Sequence, residues 1–184
     1  MLTAGWFWLT IAVGVFWALG AYNRLMRLQS QVQQSFEALE LRLLEFTELV
    51  QQVLSEVVIS EAPWRAELPL DQSARHWSRL QESARQVAMA LARMQEHPLQ
   101  ADSVERVRQT QGELQAAWES LLALSVYRQT VSDALQQRWQ AQLLLVQPDT
   151  QRFNQAVEQY NQAIAEFPAV LIARLFKFTP GFTL

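Results

Sequence analysis

The chain contains no cysteine, which removes disulfides, thiol nucleophiles and thiolate metal sites from consideration. It leaves the redox compartment open, because a cysteine-free chain survives in either environment. Histidine is nearly absent: His76 and His97 are the only two. Three residues before them stand Ser73 and Met94, so the Glu-x-x-His pairs that build di-iron sites in helical bundles are missing. Neither histidine has a second ligand at zinc spacing, and no Gly-rich phosphate loop or Gly-x-Ser-x-Gly elbow is present. No catalytic, metal or cofactor-binding residue is therefore assigned, no cofactor is expected, and the chain is read as non-enzymatic. The acid pair Glu37 and Glu40 is placed at solvated helical positions. Neither sign of charge dominates, with 15 basic and 18 acidic side chains. That leaves no basic face of the kind nucleic acid requires.

Glycine and proline are also scarce, at 5 and 6 of 184 residues, and the bulk of the chain is made of strong helix formers. Beyond the apolar N-terminus, roughly 160 residues remain, enough for one domain with its own core. The fold class is all-α: an N-terminal transmembrane helix continues into a long amphipathic helix within an antiparallel bundle of three to four helices. The boundaries are residues 1–23 for the span, 24–178 for the bundle and 179–184 for a tail.

Charge is missing altogether from Met1 to Asn23. A cleavable signal would start with a positive region and a short apolar run of roughly 7–15 residues. Here no basic residue precedes a run of about 21 residues, long enough at about 1.5 Å per residue for a bilayer core. Ala18-Leu19-Gly20-Ala21 keeps a cleavage site in view as the alternative. Trp6, Trp8, Trp17 and Tyr22 lie toward the ends of the run, as interfacial anchors do. The first charges, Arg24 and Arg27, place the N-terminus outside and the bundle in the cytoplasm of an inner-membrane, single-pass protein. Gly14 and Ala18 form a small-xxx-small pair that leaves dimerisation open.

From Leu25 the apolar residues fall at Leu28, Val32, Phe36, Leu39, Leu43, Phe46, Val50, Val53 and Val57, in steps of three or four that make one coiled-coil-like seam. Pro63 and Pro69 mark a corner, with Trp64 expected to fold over the seam end. A second helix runs from about Leu70 to Gln95, with its seam at Trp77, Leu80, Ala84, Val87, Leu91 and Met94. A third starts near Ala101, with Asp102 or Ser103 as cap and Glu105 in its first turn. Leu114, Trp118, Leu121 and Leu124 form its seam, and the phase changes between Leu124 and Thr130. Val131, Leu135, Trp139, Leu143 and Val146 lead to Pro148, which is expected to kink one long helix. Phe153, Val157, Tyr160, Ile164 and Phe167 follow on one face, stopped by Pro168.

Tyr22-Asn23-Arg24-Leu25 after the apolar run resembles the opening of LemA-family membrane proteins. Arg152-Phe153-Asn154, Val157, Tyr160-Asn161, Ile164, Phe167-Pro168 and Leu171-Ile172-Ala173 resemble that family's closing signature. The likeness covers about 35 residues at the front and 30 at the back, whereas residues 55–147 match in helical character only. Its usual basic stretch in helix one and its Tyr-Pro corner are missing here, and Pro148 is additional. The resemblance implies a single-span, membrane-anchored helical bundle of undefined biochemistry.

Asn154 and Asn161 are seven residues apart and share a helix face. They are read as structural, bonding between helices to fix register, with small-molecule contact as the alternative. The apolar stretch from Ala169 to Leu184 either caps the open end of the bundle or lies at the membrane surface. In the latter case Phe176 and Phe178 would sit near the headgroups, with Arg24, Arg27, Arg174 and Lys177 available to anionic lipid. The expected role is to hold or organise protein partners at a membrane surface. Self-assembly or lipid-surface binding is the alternative, and homo-oligomerisation is left open.

Overall fold

In the computed structural model the backbone is described for residues 2–59, 70–124, 128 and 131–184, and the side chains of 2–7, 10, 57–59 and 70–74 fall outside the description. The helices are α1 (Leu2–Ile59), α2 (Leu70–Glu96), α3 (Ala101–Leu122), α4 (Asp133–Ala165) and α5 (Ala169–Leu175). The all-α class holds, and no strand occurs among the described residues. The Pro63–Pro69 corner, Trp64 and the seam residue Val57 lie outside the described residues.

α1 runs for 58 residues without a Pro or Gly after Gly20, so no residue removes a backbone bond or loosens the chain at the apolar boundary. Its seam is buried at Leu25, Val32, Phe36, Leu39, Leu43, Phe46, Val50 and Val53. The partner is α4. Arg24 meets Glu166, Phe36 meets Phe153, Arg42 meets Asp149, Phe46 meets Trp139, and Gln52 meets Arg138. As the number rises on α1 it falls on α4, so the pair is antiparallel. α2 and α3 form a hairpin about a short turn in which His97 N–H donates to Met94 O and Gln100 N–H to His97 O. α2 lays Leu80, Ala84, Val87, Leu91 and Met94 into the same core.

One aromatic chain ties three helices together. Trp139 of α4 takes the edge of Phe46 from α1 at 4.7 Å and stacks on Trp118 of α3 at 4.2 Å, with ring planes 10° apart. Such pairs add about 0.5–1.5 kcal/mol beyond the area they bury.

α4 runs unbroken through Pro148. Proline cannot donate to the carbonyl four residues earlier, on Leu144. Both residues are exposed, so that carbonyl faces water, and the helix continues. On the inward side Asp149 is buried and accepts from Arg42 Nε at 3.4 Å and Arg152 Nη1 at 2.8 Å. Gln142 Nε2 donates to Arg42 O at 2.7 Å. Ser132 caps α4, its Oγ accepting from Leu135 N–H at 3.4 Å. α3 departs from expectation: its cap position is Gln100, no side chain bonds there, and Asp102 lies in the first turn.

Among the described residues no helix is long and apolar enough to cross a membrane. The transmembrane span expected over residues 1–23 is therefore not borne out among the described residues, and part of that run lies outside them. Within that run the helix exposes Trp8, Leu9, Ile11, Val13, Val15, Phe16 and Leu19.

The core predicts a sharp contrast. Trp139→Ala removes both aromatic contacts and lowers unfolding stability by about 3–5 kcal/mol in urea titrations. Leu144→Ala, at an exposed position, changes it by less than about 0.5 kcal/mol.

Candidate functional site

Phe153 and Tyr160 point into the core, Phe153 presenting its ring to Phe36 at 6.2 Å. One residue on is a turn of about 100° around a helix, which brings Asn154 and Asn161 to the flank of α4. There they meet residues 179–184, a non-helical strap. Asn161 Nδ2 donates to Gly181 O at 2.9 Å, and Gly181 N–H donates back to Asn161 Oδ1 at 2.8 Å. Asn154 does the same with Leu184, at 2.9 and 2.8 Å. Seven helical residues rise about 10 Å, and an extended chain covers that distance in about three residues. The spacing of the two asparagines thus matches Gly181 to Leu184, with the strap antiparallel to α4. Tyr160 Oη donates to Thr179 O at 3.0 Å, and Arg108 Nη2 donates to Thr183 O at 2.8 Å.

Gly181 is required by close approach. A Cβ there would stand 2.5 Å from Leu99 Cδ2 and 3.2 Å from Val157 Cγ1. Phe178 and Leu184 pack against the core at either end of the strap. The asparagines therefore do fix register, but the register of the strap on α4 rather than of one helix on another.

The remaining site residues gather just beyond the ladder, at the C-terminal end of α4. Tyr22 is half-buried, with its ring 4.9 Å from Phe176 and 6.1 Å from Phe178. Leu25 is buried among Ala163, Ala169, Ile172 and Ala173. α5 thus packs one face on α1 and α4 and turns Leu171 and Leu175 outward, with Phe176 just beyond. Phe167, expected on the seam, is instead 80% exposed: the helix ends at Ala165, and the ring lies beside Trp17 at 6.4 Å. Pro168 precedes α5 directly. Asn23, Arg27 and Lys177 are exposed, and Lys177 holds a left-handed φ of 56° that turns the chain from α5 into the strap. Arg24 pairs with Glu166 at 3.5 Å.

Two shifted groups bear on stability. Burial pushes the Tyr160 phenol above its usual range. Glu40, expected to be solvated, is half-buried; burial first and then neighbouring Glu37 push its carboxyl up.

The sequence model of the LemA family matches residues 77–183, which run from α2 through the asparagine ladder to Thr183. The chain belongs to the LemA family. The match takes in the closing signature and the middle of the chain. The Tyr22–Leu25 front, on which part of the resemblance rested, lies outside it. No curated protein and no solved structure matches.

In this LemA-family chain, sequence reasoning missed Arg108, Gly181, and the Asp149 cluster with Arg42 and Arg152. Gly181 after Pro180 was the one available signal, since such pairs end regular structure. The Arg108–Thr183 and Arg42–Asp149 contacts join residues 75 and 107 positions apart and leave no local pattern.

Asn161→Ala should strip two bonds from Gly181 at a cost of about 1–3 kcal/mol. Hydrogen exchange should quicken at 179–184 and stay unchanged in α2 and α3. Glu40 has a folded pKa above its unfolded one, so its contribution is present at low pH and lost as pH rises through the folded value. Glu40→Gln should therefore raise the thermal midpoint at pH 7 and leave it unchanged at pH 3.

Proposed function

We propose that the protein is a non-enzymatic helical scaffold held at a membrane surface, where its bundle organises protein partners. The observation that carries this reading is the concentration of exposed apolar side chains at one end of the molecule. Val15, Phe16 and Leu19 of α1 lie on the same end as Phe167, Leu171, Leu175 and Phe176 around α5. Tyr22 against Phe176 and Trp17 beside Phe167 join the two sets. Aromatic rings with nearby Arg24, Arg27, Arg174 and Lys177 are the composition of a headgroup boundary. The apolar end of α1 then enters the bilayer and α5 lies in the interface beside it. In the single-pass, inner-membrane form of this reading, Arg24 and Arg27 keep the bundle on the cytoplasmic side. LemA-family membership supports a membrane association.

The polar pairs described above hold helix to helix and strap to helix, which supports structural rather than catalytic work. Away from the apolar end, Leu41, Met89, Leu144 and Leu145 are exposed and offer apolar area to partners.

Flotation of the full chain on vesicles containing phosphatidylglycerol tests the lipid part. The wild type should float. Leu171→Asp with Leu175→Asp and Phe176→Asp should weaken flotation while helix content by circular dichroism is retained. Equal flotation of wild type and triple variant removes α5 from the interface.

A further inference from the structure

Two clefts adjoin at the apolar end and share one arginine. The first, about 480 Å³, is lined by Arg24, Arg27 and Gln31 of α1 and by Gln159, Gln162 and Glu166 at the end of α4. The spacing is what a two-walled groove demands. Residues 24, 27 and 31 fall on one face of α1, and 159, 162 and 166 fall on one face along α4. The second cleft, about 420 Å³, continues past Arg24 between α1 and the start of α5, lined by Val13, Phe16, Trp17, Gly20 and Pro168. One compartment thus offers guanidinium and amide donors, and the other offers apolar wall. Arg24 stands at the junction.

We propose that the two clefts form one site for a single anionic phospholipid, with its phosphate at Arg24 and Arg27 and an acyl chain in the apolar arm. This rests on the membrane reading above. Among the described residues Arg27 has no ion-pair partner, and Arg24 is held only by Glu166 at 3.5 Å with both side chains more than half exposed. Two cations against one carboxylate leave the groove a net positive charge, which suits a phosphodiester. Guanidinium groups match phosphate oxygens in geometry as well as charge. The Gln31, Gln159 and Gln162 amides are available to glycerol and phosphate oxygens. Gly20 leaves the apolar arm wide: a Cβ there meets nothing within 4 Å.

The test uses the full chain in phosphatidylcholine nanodiscs doped with phosphatidylglycerol, released into the gas phase for native mass spectrometry. The wild type should retain a single phosphatidylglycerol in preference to phosphatidylcholine. Arg24→Gln and Arg27→Gln should each reduce that retention about tenfold. Gly20→Leu, whose Cβ meets nothing within 4 Å, should displace the lipid with helix content unchanged. Soluble glycerol phosphate should not compete. Equal retention in wild type and both arginine variants overturns the site, and so does displacement by glycerol phosphate, which would mark a free-phosphate groove. A wild type that fails to float on vesicles at all sinks the membrane reading along with the site. Flotation without selective retention sinks the site alone.

Discussion

The antiparallel contact between α1 and α4 is the constraint on which the rest of the structure depends. Apolar residues repeat every three or four positions from Leu25 to Val53, so their burial needs an equally long partner. α4 supplies it through Val146, Phe153, Val157 and Tyr160. Once the two are paired, the α2–α3 hairpin closes the remaining side of the core, with Trp118 stacked on Trp139. Pro148 is tolerated because its missing donor falls on the wet face of α4, opposite the buried Asp149. A proline at a seam position would have broken the pairing.

The same contact decides what happens along the C-terminal half of α4. Its aromatic residues are consumed by the core, so the asparagines that follow them in sequence are turned to the flank. There they bind main chain rather than side chain. A backbone amide presents one donor and one acceptor, and a side-chain amide answers both. Two such pairs hold the strap with little regard to its side chains, apart from Gly181, where Leu99 and Val157 leave no room. The strap in turn holds α5 in place through Phe178 and the turn at Lys177. The exposed face of α5 is thus fixed in orientation by hydrogen bonds made on the other side of a bend.

Much of this could be read from the residues. The seams of α1, α2 and α4 were legible because their period is local and unbroken. The end of α2 and the start of α3 were legible because the apolar period stops after Met94 and Asp102 and Glu105 suit a first turn. The aromatic-Asn pairs were legible as structural, but their partner was not, since nothing in Asn154 or Asn161 names a backbone segment twenty or thirty residues away. α5 went unforeseen as a helix because seven residues carry too little pattern. Phe167 was misplaced because the apolar period continues beyond the residue at which the helix stops. The apolar run before Asn23 reads as a span by length and lack of charge. Among the described residues no helix is long and apolar enough to cross a membrane, and part of that run lies outside them.

A molecule with one apolar end and a polar bundle has a defined way to sit on lipid, and that orientation is the central claim. Hydrogen–deuterium exchange of the full chain, with and without phosphatidylglycerol vesicles, tests it most directly. The account predicts added protection over Phe167–Phe178 and the neighbouring turns of α1 around Trp17 and Tyr22, with α2 and α3 unchanged. Protection confined to α2 and α3, or none anywhere, would contradict it.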